Sequence, residues 1–504
     1  MRGLARADLR AQVSLLAEAA CRPRHPLGPP LLGAADRAPD GLGVELLHRV
    51  ERPEDVAVRG KDLDGRADPA PRRLPGIVDA NGLEQPGISG PVVEIGGERI
   101  EEAGPGLEDQ VHGRANDPGH PRDRPGSVVP LGFPTLEEAA QVSPVAPVCA
   151  PQDHLEPVLL RHLENLRPPT VRFGAELVDL ATGEGGVLAR IRDGRSGRLE
   201  TAAARYLVGA DGVRGRVREA LGVTMEGPGV LADRVAVLFR APLWERIEPP
   251  HHVLYPIKHP EAEGTFVPAG RGDRWVYAFD GRPGPPSRAS EMAAIGTRIR
   301  TAAGVPELEP RIEHIGRFQY VAELAARFRV ESAFLAGDAA HRLAPRGGTG
   351  MNTAIRDGHD IGWKLACVLK GWAGDELLDS YEGERRPVAE HNMRRSSDPN
   401  GSVREVADEL EVDLGGRIPH AWVGSGPERI STLDLLSPGL TLFTTADAPR
   451  AEPAGERGGA PVTVRELPPV AAGALGIGPG ESLLVRPDGA PAGRYADVAA
   501  DVVA

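Results

Sequence analysis

The chain has 504 residues, 40% of them hydrophobic, which is too long for one compact core and fits about two to four globular domains. A formal net charge of −13 argues against a nucleic-acid surface, which needs clustered Lys and Arg. Three distant cysteines, Cys21, Cys149 and Cys367, exclude a disulfide framework or thiolate metal site, and no apolar run is long enough to cross a bilayer.

Residues 1–142 are rich in Pro, Gly, Arg and Asp, as in "CRPRHPLGPPLLGAADRAPDGLG" and "HGRANDPGHPRDRPGSVVP". Apolar residues there rarely keep helical or strand spacing, so an irregular segment is expected. Within it, "ARADLRAQVSLLAEAA" reads as a short helix and "GPVVEIGGERI" as a short strand and turn. Glu18 interrupts "SLLAEAA" and Arg follows, which makes a poor secretory signal and points to the cytoplasm.

The pattern changes near Ser143. In "DHLEPVLLRHLENL", Leu155, Leu159 and Leu163 recur at spacings of four beside Val158, predicting a helix with one apolar face. Next, "GAELVDLATGEGGVLARIRDGRSGRLETAAARYLVGADG" predicts a β-meander ending in the apolar strand Tyr206–Ala210. Its turns fall at Gly183–Gly186 and Asp193-Gly194. Residues 225–325 carry short β-branched and aromatic runs ("DRVAVLFRAPL", "HHVLYPIKH", "GTFVPAG", "RWVYAFDG"), predicting a mostly antiparallel sheet over a pocket, with a helix at Ser290–Ala303. "ELLDSYEGERRPVAEHNMRRS" predicts a further helix, on which Glu382 and Arg386 are spaced to pair. From about Gly401, "STLDLLSPGLTLFTT", "ESLLVRPDGAPAGR" and a short helix near the end suggest a small α/β unit.

The most informative stretch is "FLAGDAAHRLAPRGGTGMNTAIRDGHDIGWKLA". Ala333–Ala336 reads as a buried strand of a parallel sheet, and ligands of such sheets bind beyond the strands' carboxyl ends. Asp338 stands at that edge, where a carboxylate accepts hydrogen bonds from ligand hydroxyls. Pro345 stiffens the loop, and Gly347, Gly348 and Gly350 allow close backbone approach. A helix opening near Met351-Asn352 points its positive end at the loop. Small or apolar residues at 351, 354, 355, 358, 361, 362, 365 and 369 predict its buried face. Taken alone, these glycines fit a plain strand-to-helix connection equally well. A second turn, Gly209-Ala210-Asp211-Gly212 followed by Arg214 and Arg218, suits diphosphate or ribose recognition. On its own it also fits an Asp-Gly turn with solvated arginines.

Together the two turns resemble the flavin-dependent aromatic hydroxylases of the p-hydroxybenzoate and phenol hydroxylase type. "YLVGADGVRGRVR" matches that family's Asp-Gly motif, and the longer stretch matches its Gly-Asp motif. "SPVAPVCAPQDHLEPVLL" looks like the segment that places Gln152 against the flavin. "GRIPHAWV", "STLDLLSPGLTLFTT" and "LLVRPDG" look like the C-terminal thioredoxin-like extension of polyketide hydroxylases, here without CxxC and so expected to be structural. The resemblance covers roughly Ser143 to Arg494.

The resemblance implies an α/β fold. Its FAD-binding domain, of three-layer ββα type, would be split over 143–224 and 326–400. A mostly antiparallel substrate domain would occupy 225–325 and a thioredoxin-like domain 401–504. Asp338 would bond the ribitol of FAD, with Gly337 in the same turn. Pro345, Gly347, Gly348, Gly350, Met351 and Asn352 would pass beside the isoalloxazine. Asp211, Gly212 and Arg218 would serve the diphosphate side. NADPH or NADH would reduce FAD. O2 would then form a C4a-hydroperoxide that hydroxylates a small phenolic or polyketide-like aromatic. A homodimer is left open; nucleic acid, membrane and metal play no part, and catalytic side chains are not assigned.

The family also opens with a strand–GxGxxG–helix unit, which residues 1–142 lack; "DGLGVELL", "LLGAAD" and "EIGGERIEEAGPG" all fail the pattern. Either the ADP half is lost, or residues 1 to about 130 are translated from another frame or strand of GC-rich DNA, as their Pro, Arg, Gly, Ala and Asp bias favours. The alternative function is accordingly an inactive or flavin-free remnant serving as a binding or dimerisation module. A third is a flavin reductase on the same scaffold. Gly215 and Asp360 replace the family's usual serine and asparagine. His251, His252 and His341 are expected at the surface or lining a pocket, since no carboxylate has metal-like spacing. Trp363 is expected to pack rather than stack on flavin.

Overall fold

Two buried apolar triplets, Leu207–Gly209 and Ala333–Leu335, become neighbouring parallel strands, with Leu335 opposite Gly209. Continuous burial suits strands covered on both faces. In the computed structural model the described residues run over 136–496, with the breaks 148–149, 166–170, 184, 248–250, 271, 282–287, 402–411, 413–415 and 448–458. Short strands at 46–47, 93–95, 98–100, 112–114 and 128–130 are described as well. The expected helix "ARADLRAQVSLLAEAA", most of the segment that lacks a GxGxxG unit and the chain's last residues lie outside them. Val93–Ile95 and Glu98–Ile100 pair antiparallel, matching the expected strand and turn.

The parallel pair sits in a four-stranded sheet ordered Leu46–Leu47, Leu207–Gly209, Ala333–Leu335, Arg329–Val330. The meander differs from expectation at its end. Ala175–Gly183, Gly186–Asp193 and Leu199–Ala204 form their own antiparallel sheet, while Leu207–Gly209 leaves it for the parallel one. The apolar helix face expected from Leu155, Leu159 and Leu163 is only partly used, since Val158 is buried but Leu159 exposed on helix Gln152–Asn165.

Residues 225–342 supply a six-stranded sheet ordered Tyr255–Ile257, Gly264–Pro268, Arg274–Asp280, Met225–Arg240, Arg311–Ala325, His341–Arg342. Alternation decides its faces. Val235, Val237, Phe239, Trp275 and Tyr277 are buried with Ile295, Ile299 and Ala302 of helix Arg288–Ala303. The opposite face carries the cross-strand rows Ala278–Ala236–Gly316 and Val276–Leu238–His314, with Phe318 opposite Arg234. Its last strand, His341–Arg342, belongs to the glycine-loop segment itself.

Two long helices follow: Gly350–Leu369, the loop helix, and Glu376–Ser397, the back helix. The loop helix buries Ile361 and Leu365 of the expected face but leaves Met351, Ile355, Gly358 and Gly362 exposed. Thr353, Asp357, Asp360 and Lys364 are buried along with Ile361, Leu365, Cys367 and Val368, while Met351 is 42% and Ile355 47% exposed. Paired charges occupy the inner face, which a hydrophobic pattern does not register. The expected Glu382–Arg386 pair is not made. Glu382 accepts the backbone N–H groups of Phe328 and Arg329, and Arg386 reaches Glu226 and the carbonyl of Ala325.

At the C-terminal side, Val462–Glu466, Leu440–Thr444, Glu481–Val485 and Pro491–Ala496 form a mixed four-stranded sheet with helix Pro469–Ala474. Its core of Ile418, Phe443, Leu467, Leu475, Leu483 and Val485 is separate from the others. Trp363 packs as expected, under the Arg486 guanidinium at 5.3 Å. Among the described residues no helix is long and apolar enough to cross a membrane.

Candidate functional site

Because Leu207–Gly209 and Ala333–Leu335 run parallel and in register, the two turns leave the same sheet edge. The Ala336 N–H donates to Gly209 O at 3.0 Å, locking the strand ends together. Gly212 has φ +76° and Gly337 φ +59°, conformations that glycine adopts without a Cβ penalty. Arg218 is buried and spans both turns, donating to Ala339 O and Val213 O at 3.2 Å each. Its guanidinium holds the two turns in one arrangement.

The Asp211 Oδ2 accepts the Val217 N–H at 2.9 Å, while its Oδ1 is buried with no protein partner. A Cβ at Gly215 would lie 2.8 Å from that Oδ1, so glycine at this departure from the family leaves the oxygen room. Asp338 is the exposed residue of its turn. Desolvation by the surrounding protein raises its carboxyl above the ordinary range, although His341 and Arg342 oppose the rise.

The loop beyond is a tight glycine turn. Gly348 N–H donates to Pro345 O at 3.0 Å, with Gly347 at φ +85° and Gly348 at φ +65°. A Cβ at Gly347 would meet Arg395 Nε at 2.7 Å, so the loop also lies closely on the back helix. The loop helix starts at Gly350 with Thr349 as its cap residue, but no side chain caps it, and Thr349 Oγ1 is buried without a protein partner. The N–H groups of Gly350, Met351 and Asn352 therefore have no carbonyl of their own helix to meet, and the helix dipole adds positive potential there.

The back helix holds this assembly from behind. Tyr381 Oη donates to Leu335 O at 2.8 Å, and Asn392 Nδ2 donates to Thr353 Oγ1 at 3.0 Å. Arg385 Nε donates to Asp357 Oδ1 at 2.8 Å. Burial raises the Asp357 carboxyl, but His341 and Arg385 outweigh it and hold it below the usual carboxylate range. His341 corrects an expectation: it is fully buried, neither at the surface nor lining a pocket, with Nε2 2.6 Å from Asp357 Oδ2. Only the fold brings these two together, since they stand 16 positions apart on different elements. His251 and His252 pack against Trp244 and Tyr255.

A second charged cluster joins the loop helix, the back helix and the C-terminal sheet. Lys364 Nζ donates to Asp360 at 2.7 Å and Glu384 at 3.0 Å. Arg486 donates to Glu384 at 2.8 Å through both Nη atoms and to Asp488 at 2.6 Å. Asp360, Glu384 and Asp488 converge closely enough to hold a cation, but their oxygens already accept hydrogen bonds from Lys364 and Arg486. Desolvation raises Asp360; at Glu384 and Asp488 burial is outweighed, chiefly by Arg486 hydrogen bonds, and both are lowered.

The sequence reading missed how the antiparallel sheet meets the loop. Arg346, inside the loop, lies 5.9 Å from the Tyr320 ring, and Tyr320 packs on Phe318 at 5.6 Å. The alternation of Phe318 and Tyr320 is a signal for that face, masked by polar Gln319 between them and by the charged residues Arg317 and Glu323 nearby. Gln152 begins its helix with a 2.6 Å bond to Glu156. The contacts of that helix start run to the same sheet, through Asp153–Arg274 at 2.8 Å and His154 against Gly270.

These groups fit a dinucleotide-like cofactor. Asp338 offers a carboxylate to hydroxyl donors, Asp211 Oδ1 is an orphaned buried acceptor, and the uncapped helix start favours an anion. Nothing lies within 4 Å of where a Cβ on Gly212 would be, leaving open space for a ligand.

Comparison with known proteins agrees. The FAD binding domain family model matches residues 103–396, beginning before Ser143 and spanning both turns, the antiparallel sheet, the loop and both long helices. The chain is 32% identical to tetracenomycin A2 monooxygenase-dioxygenase of Streptomyces glaucescens, covering 73% of this chain and 76% of that one. It is 34% identical to an aklavinone 12-hydroxylase of Streptomyces purpurascens, covering 69% and 75%. Its fold matches the ternary complex of aklavinone-11 hydroxylase with FAD and aklavinone at a TM-score of 0.69, with 30% identity over 80% of this chain and 85% of that one. The chain therefore belongs to the family of FAD-dependent aromatic and polyketide hydroxylases, and is an FAD-dependent monooxygenase.

Proposed function

We propose that this chain is a cytoplasmic enzyme that hydroxylates a planar phenolic or polyketide-like aromatic, with NADPH or NADH and O2 as co-substrates. The observation that carries this reading is the route of the glycine loop. It rises from the edge strand of the antiparallel sheet and reaches the loop helix beside the two-turn edge. Cofactor and substrate surfaces are thus continuous.

In this reading Asp338 accepts the ribitol hydroxyls, and Asp211 and Gly212 serve the diphosphate side. The start of the loop helix holds negative charge on the flavin, and Gly347, Gly348 and Gly350 let the backbone approach it. When bound, FAD supplies reduction by NAD(P)H and transfer of one O2 oxygen to a ring carbon. The sheet's open face orients the substrate. Ala278, Ala236 and Gly316 form a flat row beside Val276 and Leu238, and the row ends toward His314 and Phe318. Such a floor suits a fused-ring plane, and closure of the substrate on it excludes water. The C-terminal sheet, thioredoxin-like and without a CxxC, serves as a structural extension fastened through Arg486.

With a fused-ring phenol, NAD(P)H consumed and hydroxylated product formed are expected in a ratio near one. Phenol-stimulated NAD(P)H oxidation with no hydroxylated product would instead assign a reductase.

The raised carboxyl of Asp338 gives a pH dependence. Hydroxyl donors favour the ionised form. FAD affinity is therefore expected to be full at neutral pH and to fall as pH drops through Asp338's raised value. FAD titrations from about pH 7 to about pH 4 measure this. In Asp338→Asn that acid limb should flatten; an unchanged limb would assign it to another group.

A further inference from the structure

We propose that Asp357 is the positioning residue of the cofactor-binding turn, fixing the backbone that aims Asp338. This rests on the reading that FAD binds at Asp338 and the glycine loop. Asp357 is fully buried on the loop helix and has no surface to offer a ligand. Its Oδ2 accepts the backbone N–H of Gly337 at 3.1 Å and His341 Nε2 at 2.6 Å, and its Oδ1 accepts Arg385 Nε at 2.8 Å.

Gly337 is the residue immediately before Asp338, and its φ of +59° is outside the range most residues adopt. A side chain from a different element pins this backbone, so the direction in which Asp338 leaves the sheet edge depends on Asp357. The network also reaches the helix start. Arg385 Nη2 approaches Thr353 O at 3.4 Å, and Asn392 holds the Thr353 hydroxyl. One buried carboxylate thus sets the Asp338 turn relative to the helix end that faces the loop.

The chemistry requires a carboxylate. Three N–H donors converge on two acceptor oxygens. An asparagine offers one acceptor and one N–H2 donor, so at least one donor is left facing another donor. The turn then relaxes without any loss of the groups that touch FAD.

The test uses the full chain, titrated with FAD, with the visible spectrum and midpoint potential of the bound flavin read alongside. Asp357→Asn is expected to weaken FAD binding by about tenfold or more and to shift the spectrum, as loss of a supporting partner does at other sites. His341→Gln keeps an N–H donor for Asp357 and is expected to stay within about threefold of wild type, whereas His341→Leu should fall with Asp357→Asn. This second pair decides the matter if Asp357→Asn does not fold. Asp357→Asn that folds and binds FAD within about twofold of wild type, with an unchanged spectrum, overturns the proposal. So does equal behaviour of the two His341 variants. If Asp338→Ala weakens FAD binding while Asp357→Asn does not, the positioning role alone fails. If wild type takes up no FAD, the binding reading fails and this one with it.

Discussion

Asp338→Ala is expected to lower FAD affinity by one to two orders of magnitude while leaving the unliganded fold intact. Asp338 is the exposed residue of its turn, so truncating it removes no buried side chain from the core. Desolvation already works against its charge in the free protein, so the unliganded chain gains slightly from losing it. What is lost is the set of charge-assisted hydrogen bonds to the ribitol hydroxyls. Such bonds contribute about 1.5–3 kcal/mol each, and about 1.4 kcal/mol is a factor of ten in affinity. Fluorescence titration with FAD and a thermal melt without it separate the two effects. An unchanged affinity would move the ribitol contact elsewhere; a collapsed melt would make Asp338 structural.

Lys364→Met is expected to cost about 3–5 kcal/mol of stability, because it strips the cation from a buried ion pair and leaves the other charge uncompensated. Lys364 is 0% exposed and holds both Asp360 on its own helix and Glu384 on the back helix. Arg486 still serves Glu384 and Asp488, so the loss concentrates on Asp360. Adding Asp360→Leu should recover much of the deficit, since replacing both partners of a buried pair is often close to neutral. The sign of the pH effect follows. Burial already raises the Asp360 carboxyl in the fold. Without Lys364 it rises further, so the folded state binds the extra proton. The deficit is then largest at neutral pH and shrinks as pH falls through Asp360's raised value. Urea melts at neutral and mildly acidic pH measure both points. An equal deficit at both would place the cost in lost packing instead.

Helices near 290–303 and 376–397 fall where the sequence places them, and the strands of 175–204 fall between the glycine turns that mark them. Apolar spacing also located the helices at 152–165 and 350–369, but not the faces they bury. The two turns were legible because glycine and aspartate at strand ends have few other uses. Long-range pairings were not. Asp357 and Lys364 sit on the buried side of the loop helix because His341, Arg385, Asp360 and Glu384 meet them there. Those partners lie on other elements or appear as surface charges in a helical projection. Glu382 and Arg386 show the converse. Their spacing suggests a pair, but unmet backbone N–H groups at Phe328 and Arg329 claim Glu382. Strand Arg311–Ala325 was blurred by charges at Glu313, Arg317 and Glu323 and by a register shift opposite Leu238 and Phe239. The face that carries His314, Phe318 and Tyr320 was blurred with it.

The measurement closest to the central claim is the flavin content of the purified full chain after equilibration with FAD. One FAD per chain, bound with a protein-like visible spectrum and more weakly by Asp338→Ala, is the predicted result. A folded chain that stays colourless and takes up no FAD would contradict it.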